Sequence, residues 1–216
     1  IREGKRYYFG RIQYNGNKEI STNTLNNVYN NDLSGKPFNE ELINIGKQKI
    51  ENIYYNNGKP FVEIKVDYEF EQDSLVIAKY DIKENQTIYI KDIQYTGLRR
   101  VKIFIIRREL EFKKGDLYNR EKLDISQQNI YGTGLFDYVR FEIKPIASDE
   151  NNVILQIFVQ ERNPIWIGLR AGYAYQQEIA YGSTFDFTAE GGHRNLFGTA
   201  RSIRLEIEPS YSLDAD

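Results

Sequence analysis

With 216 residues, a formal net charge of −2 and no cysteine, the chain has no basic excess pointing to nucleic acid, no disulfide framework and no thiolate metal site. No apolar run reaches the roughly 18 residues a membrane helix needs, although a barrel strand, whose signal is only alternation, escapes that test. Aromatic residues make up 14%, a bias common in β-rich proteins and at membrane interfaces. The chain holds no methionine and opens on Ile1-Arg2-Glu3-Gly4 without a signal peptide, so it reads as an internal piece of a longer precursor.

An internal repeat organises the first three quarters. Ile1-Arg2-Glu3 recurs as Ile82-Lys83-Glu84, Tyr8 as Tyr89, and Ile12-Gln13-Tyr14-Asn15-Gly16 as Ile93-Gln94-Tyr95-Thr96-Gly97, all in one register. Gly35-Lys36-Pro37-Phe38-Asn39 answers Gly115-Asp116-Leu117-Tyr118-Asn119 one residue out of that register. A unit of about 80 residues is a small domain and not a solenoid repeat.

In the first unit, residues 6–14 read as a strand closed by the turn Asn15-Gly16-Asn17. Ser21 or Thr22 can cap a short helix running to Tyr29. After a loop containing Gly35 and Pro37, Asn39 caps a second helix with Leu42, Ile45, Lys49, Ile50, Ile53 and Tyr54 at helical spacing. That helix stops at Asn56-Asn57-Gly58. Strands follow over 61–71 and 75–83, joined by a turn at Gln72-Asp73. The second unit repeats the order, with a strand over 87–95, a helix over 119–131 and strands over 137–144 and 153–160. Residues 100–111 are rich in β-favouring side chains (Val101, Ile103, Ile105, Ile106) and alone would suit strand or helix; the repeat register selects helix. Each unit is therefore β-α-α-β-β.

This order, with Gly-x-Pro-Phe-Asn before the second helix, resembles the POTRA domain. Ile106-Arg107-Arg108-Glu109-Leu110, Lys114-Gly115-Asp116 and Gly134-Leu135-Phe136-Asp137-Tyr138-Val139 are similar to the last POTRA domain before the barrel in outer-membrane assembly proteins of the BamA type. The expected layout is a tail of a preceding POTRA domain at 1–4, POTRA domains at 5–84 and 85–162, and the first barrel strands at 163–216. The expected fold class is α+β, two tandem POTRA domains followed by three antiparallel transmembrane strands of an incomplete barrel.

The last quarter abandons the repeat and alternates. Ile165, Ile167, Leu169, Ala171, Tyr173 and Tyr175 interleave with Gly168, Arg170, Gly172 and Ala174. Tyr181, Phe185, Phe187 and Ala189 interleave with Gly182, Thr184, Asp186, Thr188 and Glu190, and Ile203, Leu205, Ile207 and Tyr211 with Ser202, Arg204, Glu206, Glu208 and Ser210. One face of each strand is oily and the other charged. Soluble antiparallel sheets alternate too, but nothing else in the sequence is left to cover the oily face. Residues 159–163, Gly168-x-x-x-Gly172-Tyr173 and Asn195-Leu196-Phe197-Gly198-Thr199 resemble the POTRA-to-barrel junction and first periplasmic turn of the BamA type.

The resemblance implies assembly and insertion of β-barrel proteins into the bacterial outer membrane, with the POTRA domains in the periplasm. The implied partners are unfolded outer-membrane proteins, periplasmic chaperones, accessory outer-membrane lipoproteins and the lipid bilayer; no cofactor, metal, enzyme activity or nucleic acid is implied. Clients would add to the first of the two closing strands in each domain, through Phe61, Val62, Ile64 and Val66, and through Tyr138, Val139 and Phe141. The first barrel strand, with Trp166, Gly168, Leu169, Gly172 and Tyr173, would form the barrel seam, its glycines weakening its packing. Arg107 and Glu109 would dock accessory lipoproteins. The remaining basic stretch, Arg99, Arg100, Lys102 and Arg108, reads as a solvated helix face, or as a contact to lipid headgroups or a partner. His193 falls in a predicted turn with no second ligand, and Gly132-Thr133-Gly134 lacks the Lys-Ser/Thr of a phosphate loop and reads as a helix stop. Competing expectations are a POTRA-barrel transporter (TamA-like or two-partner secretion) and a soluble periplasmic scaffold.

Overall fold

The computed structural model describes residues 6–29, 33–71, 74–176 and 182–214. The preceding-domain tail at 1–4 and the Gln72-Asp73 turn lie outside them. Two compact units emerge, one made of residues 1–94, 112–124 and 143–155, the other of residues 95–111, 125–142 and 156–216. The division runs through the second repeat.

The first repeat contains β1 (Tyr8–Asn15), α1 (Thr22–Asn26) with a 3-10 turn (Asn27–Tyr29), α2 (Glu40–Asn56), β2 (Glu63–Phe70) and β3 (Leu75–Lys83). Both helices begin where the sequence places a cap. Ser21 accepts the Thr24 N–H, and Asn39 accepts the Glu41 N–H at 2.8 Å, with Glu40 and Glu41 on the positive end of the helix. The sheet order is β1-β3-β2, with β1 parallel and β2 antiparallel to the central strand. A parallel neighbour needs a crossover, which the two helices provide. Phe9, Leu25, Ile43, Ile50, Tyr54, Ile64, Ala78, Tyr80 and Ile82 form one buried cluster.

The buried stripe of α2 is Ile43, Gly46, Ile50 and Tyr54. Leu42 and Ile45, expected on the apolar stripe, are 41% and 43% exposed. Gly46 belongs to the stripe because the Tyr29 ring lies where its side chain would be. The Tyr29 hydroxyl hydrogen-bonds the Tyr80 hydroxyl, which donates to the Ile43 carbonyl at 3.0 Å. Burial raises the pKa of both phenols, so they remain neutral.

The second repeat contains β4 (Tyr89–Thr96), α3 (Ile103–Arg107), α4 (Arg120–Gly132), β5 (Phe136–Ile146) and β6 (Asp149–Glu161), with sheet order β4-β6-β5. The stretch of β-favouring side chains does form a helix, of only five residues, because Ile105 and Ile106 are fully buried there. Tertiary burial outweighs a propensity difference worth tenths of a kcal/mol per residue. Residues 99–101 are not a helix face. They form the turn before α3, and their backbone N–H groups are bound by one carboxylate.

That carboxylate is a device found in both repeats. Glu161, ending β6, accepts the Arg99, Arg100 and Val101 N–H groups at 2.7–3.0 Å. Glu84, just beyond β3, accepts the Lys18 and Glu19 N–H groups and the buried Tyr54 hydroxyl. The chain approaches each carboxylate through a glycine with positive φ, Gly16 at 84° and Gly97 at 97°. A Cβ on either would collide with a strand carbonyl, of Ile82 or of Val159. The repeated glycine therefore serves both the turn and the close approach.

The last quarter contains β7 (Ile165–Gln176), β8 (Gly182–Leu196), β9 (Arg201–Ile207) and β10 (Ser210–Asp214). β7 pairs antiparallel with one side of β8, and β9 and β10 pair with successive stretches of the other side. The expected third segment is thus broken near Pro209, which lacks an N–H, while its carbonyl accepts the Phe187 N–H at 3.1 Å. His193 is not in a turn. It lies in β8 opposite Ile165 and Ile203, and its Nδ1 accepts the Asn195 N–H at 3.2 Å. The turn follows it, with positive φ at Phe197, Gly198 and Ala200.

Candidate functional site

Each three-stranded repeat sheet has two edges, and one of each is partly closed. The loop before α2 runs beside β1: the Phe9 N–H donates to the Lys36 carbonyl, the Gly35 N–H to the Phe9 carbonyl and the Phe38 N–H to the Tyr7 carbonyl, at 2.7–2.8 Å. The loop before α4 does the same for β4, through Ile90 with Asp116 and Gly115, and Tyr118 with Ile88, at 2.7–2.9 Å. The Gly-Lys-Pro-Phe-Asn block and its partner, noticed in the sequence as repeat markers, are therefore edge covers. The opposite edges, β2 and β5, are the outer strands on the other side.

Ile64 and Val66 lie within β2, and Tyr138, Val139 and Phe141 within β5. Ile64 and Val139 are buried, while Tyr138 is 47% exposed. The Val139 carbonyl accepts a bond from the Gln127 side chain at 3.1 Å. Phe61 and Val62 precede β2, the Val62 N–H turning back to the Lys59 carbonyl, so these two stand outside the pairing edge. Beside them Lys59, 3% exposed, is bound to Glu19 at 2.6 Å and to the Asn85 carbonyl at 3.1 Å.

β7 is likewise an outer strand, ending the order β10-β8-β7. Its odd-numbered face continues across β8 and β9 as one apolar surface. Ile165, Ile167, Leu169 and Tyr173 align there with Phe185, Phe187, Ile203, Leu205 and Ile207, and these side chains are 47–80% exposed. Tyr173 packs on Phe185 with ring centroids 5.0 Å apart. The even-numbered face is polar. Glu190 receives Arg204 at 2.5 Å and stands 3.9 Å from Arg170, and the Arg204 guanidinium lies 5.8 Å above the Trp166 ring. Gly168 has a role the sequence did not suggest: a Cβ there would come within 2.8 Å of the Glu190 carboxylate. Its absence lets the Glu190 side chain lie across β7. The even-odd alternation located this face, but only the strand register pairs Glu190 with two arginines.

Arg107 and Glu109 do not bind one another. The Arg107 guanidinium lies 6.0 Å above the Tyr95 ring, and Glu109 takes the Arg108 Nε at 2.8 Å. Among the described residues, no group of three or more His, Cys, Asp or Glu could hold a metal ion. Among the described residues no helix is long and apolar enough to cross a membrane, which says nothing of membrane-crossing strands.

Residues 7–85 and 88–162 match the POTRA family, described as "Surface antigen variable number repeat". The chain is 28% identical over 209 residues to the outer membrane protein assembly factor BamA of Neorickettsia risticii, covering 96% of this chain and 27% of that protein. It is 25% identical over 212 residues to the BamA of Neisseria meningitidis serogroup B, covering 97% of this chain and 26% of that one. The chain thus spans about a quarter of the length of these curated relatives. In fold it is similar to the crystal structure of BamA from Haemophilus ducreyi lacking POTRA domains 1–3 (TM-score 0.80, 16% identity, covering 94% of this chain and 37% of that one). It is also similar to POTRA domains 3–5 of Haemophilus influenzae BamA (TM-score 0.65, 17% identity, covering 74% of this chain and 63% of that one). Two successive family matches span well over half of the sequence, and the chain belongs to the POTRA family.

Proposed function

We propose that this chain acts in the assembly and insertion of β-barrel proteins into the bacterial outer membrane, its POTRA domains standing in the periplasm. The observation that carries the reading is the paired edge design: both repeats cover β1 or β4 with a loop and leave β2 or β5 as the outer strand. An unfolded outer-membrane protein, alone or handed over by a periplasmic chaperone, adds to that edge as one more strand. Backbone hydrogen bonds carry most of such pairing, which makes it tolerant of sequence. Ile64, Val66, Tyr138, Val139 and Phe141 set the side-chain environment of the edge.

Beyond the second POTRA domain, the apolar face of β7 to β9 meets the lipid bilayer and the polar face a wet lumen. β7 is the seam strand, with Trp166, Gly168, Leu169, Gly172 and Tyr173 on it. Hydrogen bonding and burial in lipid then drive insertion, and no nucleotide or cofactor enters. Arg107 and Glu109 dock accessory lipoproteins. Unchanged co-purification of lipoproteins with a Glu109→Lys variant would remove that part of the reading.

The test is depletion of the intact protein, with outer-membrane proteins followed by quantitative mass spectrometry. A broad fall in unrelated barrel proteins, with unfolded forms gathering in the periplasm, supports a general insertase. Loss of a single secreted protein with the barrels intact would make it a dedicated transporter.

A further inference from the structure

The basic stretch before α3 has no part in strand pairing. A cavity of about 330 Å³ lies against it, lined by Arg99, Arg100, Glu161, Arg162 and Asn163. Glu161, the carboxylate in that lining, is already satisfied: Oε1 takes the N–H groups of Arg99, Arg100 and Val101, and Oε2 takes the Arg100 N–H again. Arg162 is shared with Asp137, Nε to Oδ1 at 2.6 Å. Arg99 and Arg100 are exposed, and among the described residues neither guanidinium lies within 4 Å of a carboxylate. The carboxylate thus holds the turn through its backbone, and although the Arg100 charge acts on it, both guanidinium forks stay exposed and outside any ion pair among the described residues, open to another anion.

We infer that this cavity binds the phosphate of an anionic phospholipid headgroup. A guanidinium presents paired N–H donors that match two phosphate oxygens, and the Asn163 amide adds a further donor to the lining. Position in the chain selects a lipid as the source. β7 begins three residues after Arg162, and its first outward side chains, Ile165 and Ile167, are 61% and 80% exposed. The inference rests on the proposal that this apolar face meets lipid. Residues just ahead of a membrane strand then stand at headgroup depth, where each basic side chain contributes roughly fivefold to affinity for an anionic surface.

The test uses the intact protein in detergent micelles, titrated with short-chain phosphatidylglycerol or phosphatidylcholine and read by native mass spectrometry. The wild type should hold one phosphatidylglycerol preferentially. Arg99→Gln with Arg100→Gln should weaken that affinity about 25-fold, taking roughly fivefold for each arginine. Lys144→Gln, an exposed basic residue on β5, should leave it unchanged, and phosphatidylcholine should bind all three proteins equally. Glutamine keeps the backbone N–H groups that Glu161 accepts, and unaltered hydrogen exchange over residues 99–101 would certify the turn. Equal phosphatidylglycerol affinity in wild type and double variant would overturn the site while leaving the assembly proposal standing. Displacement of the lipid by equimolar inorganic phosphate would make it a site for free anions and overturn the lipid assignment. A protein that stays dispersed without detergent and holds no lipid would refute the membrane reading and the site together.

Discussion

Replacing Gly97 by alanine tests the carboxylate-held turn directly, and Gly115 supplies the control. Both glycines have positive φ, 97° and 88°. A Cβ at Gly115 would meet nothing within 4 Å, so Gly115→Ala carries only the backbone conformational cost, about 1–2 kcal/mol. At Gly97 the same cost applies, and the new Cβ would run into the Val159 carbonyl oxygen, with the carbonyl carbon only 3.0 Å away. The turn must then retreat from β6, which pulls the Arg99, Arg100 and Val101 N–H groups off Glu161. Losing even one charge-assisted bond adds about 1.5–3 kcal/mol, so Gly97→Ala should cost about 2.5–5 kcal/mol. Hydrogen exchange resolved by peptide reads the opening free energy of the second repeat separately from the first. Residues 99–101 should lose protection in Gly97→Ala and keep it in Gly115→Ala. Equal losses in the two variants would refute the reasoning, because the backbone cost would then be the whole effect.

Glu161 also predicts an acid response. Burial pushes its carboxyl up, but the N–H groups of Arg99, Val101 and Arg100 and the Arg100 charge outweigh this and hold it below the usual carboxylate range. Its contribution is therefore fully present above the unfolded value, about pH 4.3, and is lost as pH falls through the lowered folded value. Glu161→Gln should flatten that acid slope in an unfolding series, and an unchanged slope would remove Glu161 as its source. The Lys59–Glu19 pair is asymmetric, with Lys59 3% and Glu19 56% exposed. Glu19→Gln removes the counter-charge of a buried ammonium that keeps the Asn85 carbonyl, and should destabilise the first repeat by about 1–3 kcal/mol, more than Lys59→Met, which leaves only a solvated carboxylate; thermal unfolding of the two variants compares them. Tyr80→Phe should cost the first repeat about 1–3 kcal/mol, since it leaves the Ile43 carbonyl and the Tyr29 hydroxyl short of a partner; a denaturant midpoint within error of wild type would contradict it. In the intact protein, a disulfide locking β7 to the final barrel strand should stop client insertion in a reconstituted assay, and full activity would exclude β7 as the seam.

Much of the architecture was legible in the residues because the signals are local. Asn39 and Ser21 cap where capping chemistry places them, and Gly16 and Gly97 turn where only glycine is comfortable. The odd-even split from Ile165 onward follows from the two-residue period of a strand. The repeat even settled α3, where propensity alone pointed both ways. Less legible was anything set by a distant partner. The apolar residues of α2 cover more than one face, so composition placed Ile50 and Tyr54 correctly but did not show that Ile43 and Gly46 turn inward with them while Leu42 and Ile45 turn out. Pro209 splits the last strand in two, and His193 sits within a strand that runs past its expected end.

The sequence by itself determined the order of elements, the duplication and the two-faced strands, since each depends on neighbours within a helical turn or a strand repeat. Only the tertiary structure decided which edge of each sheet is covered, because that depends on Gly35 and Lys36 reaching Phe9, and Gly115 and Asp116 reaching Ile90, across the stretch that carries the first helix of each repeat. It also decided what Glu84, Glu161 and Glu190 do. A carboxylate takes its role from the donors brought to it, and here those donors arrive from residues as many as 66 positions away.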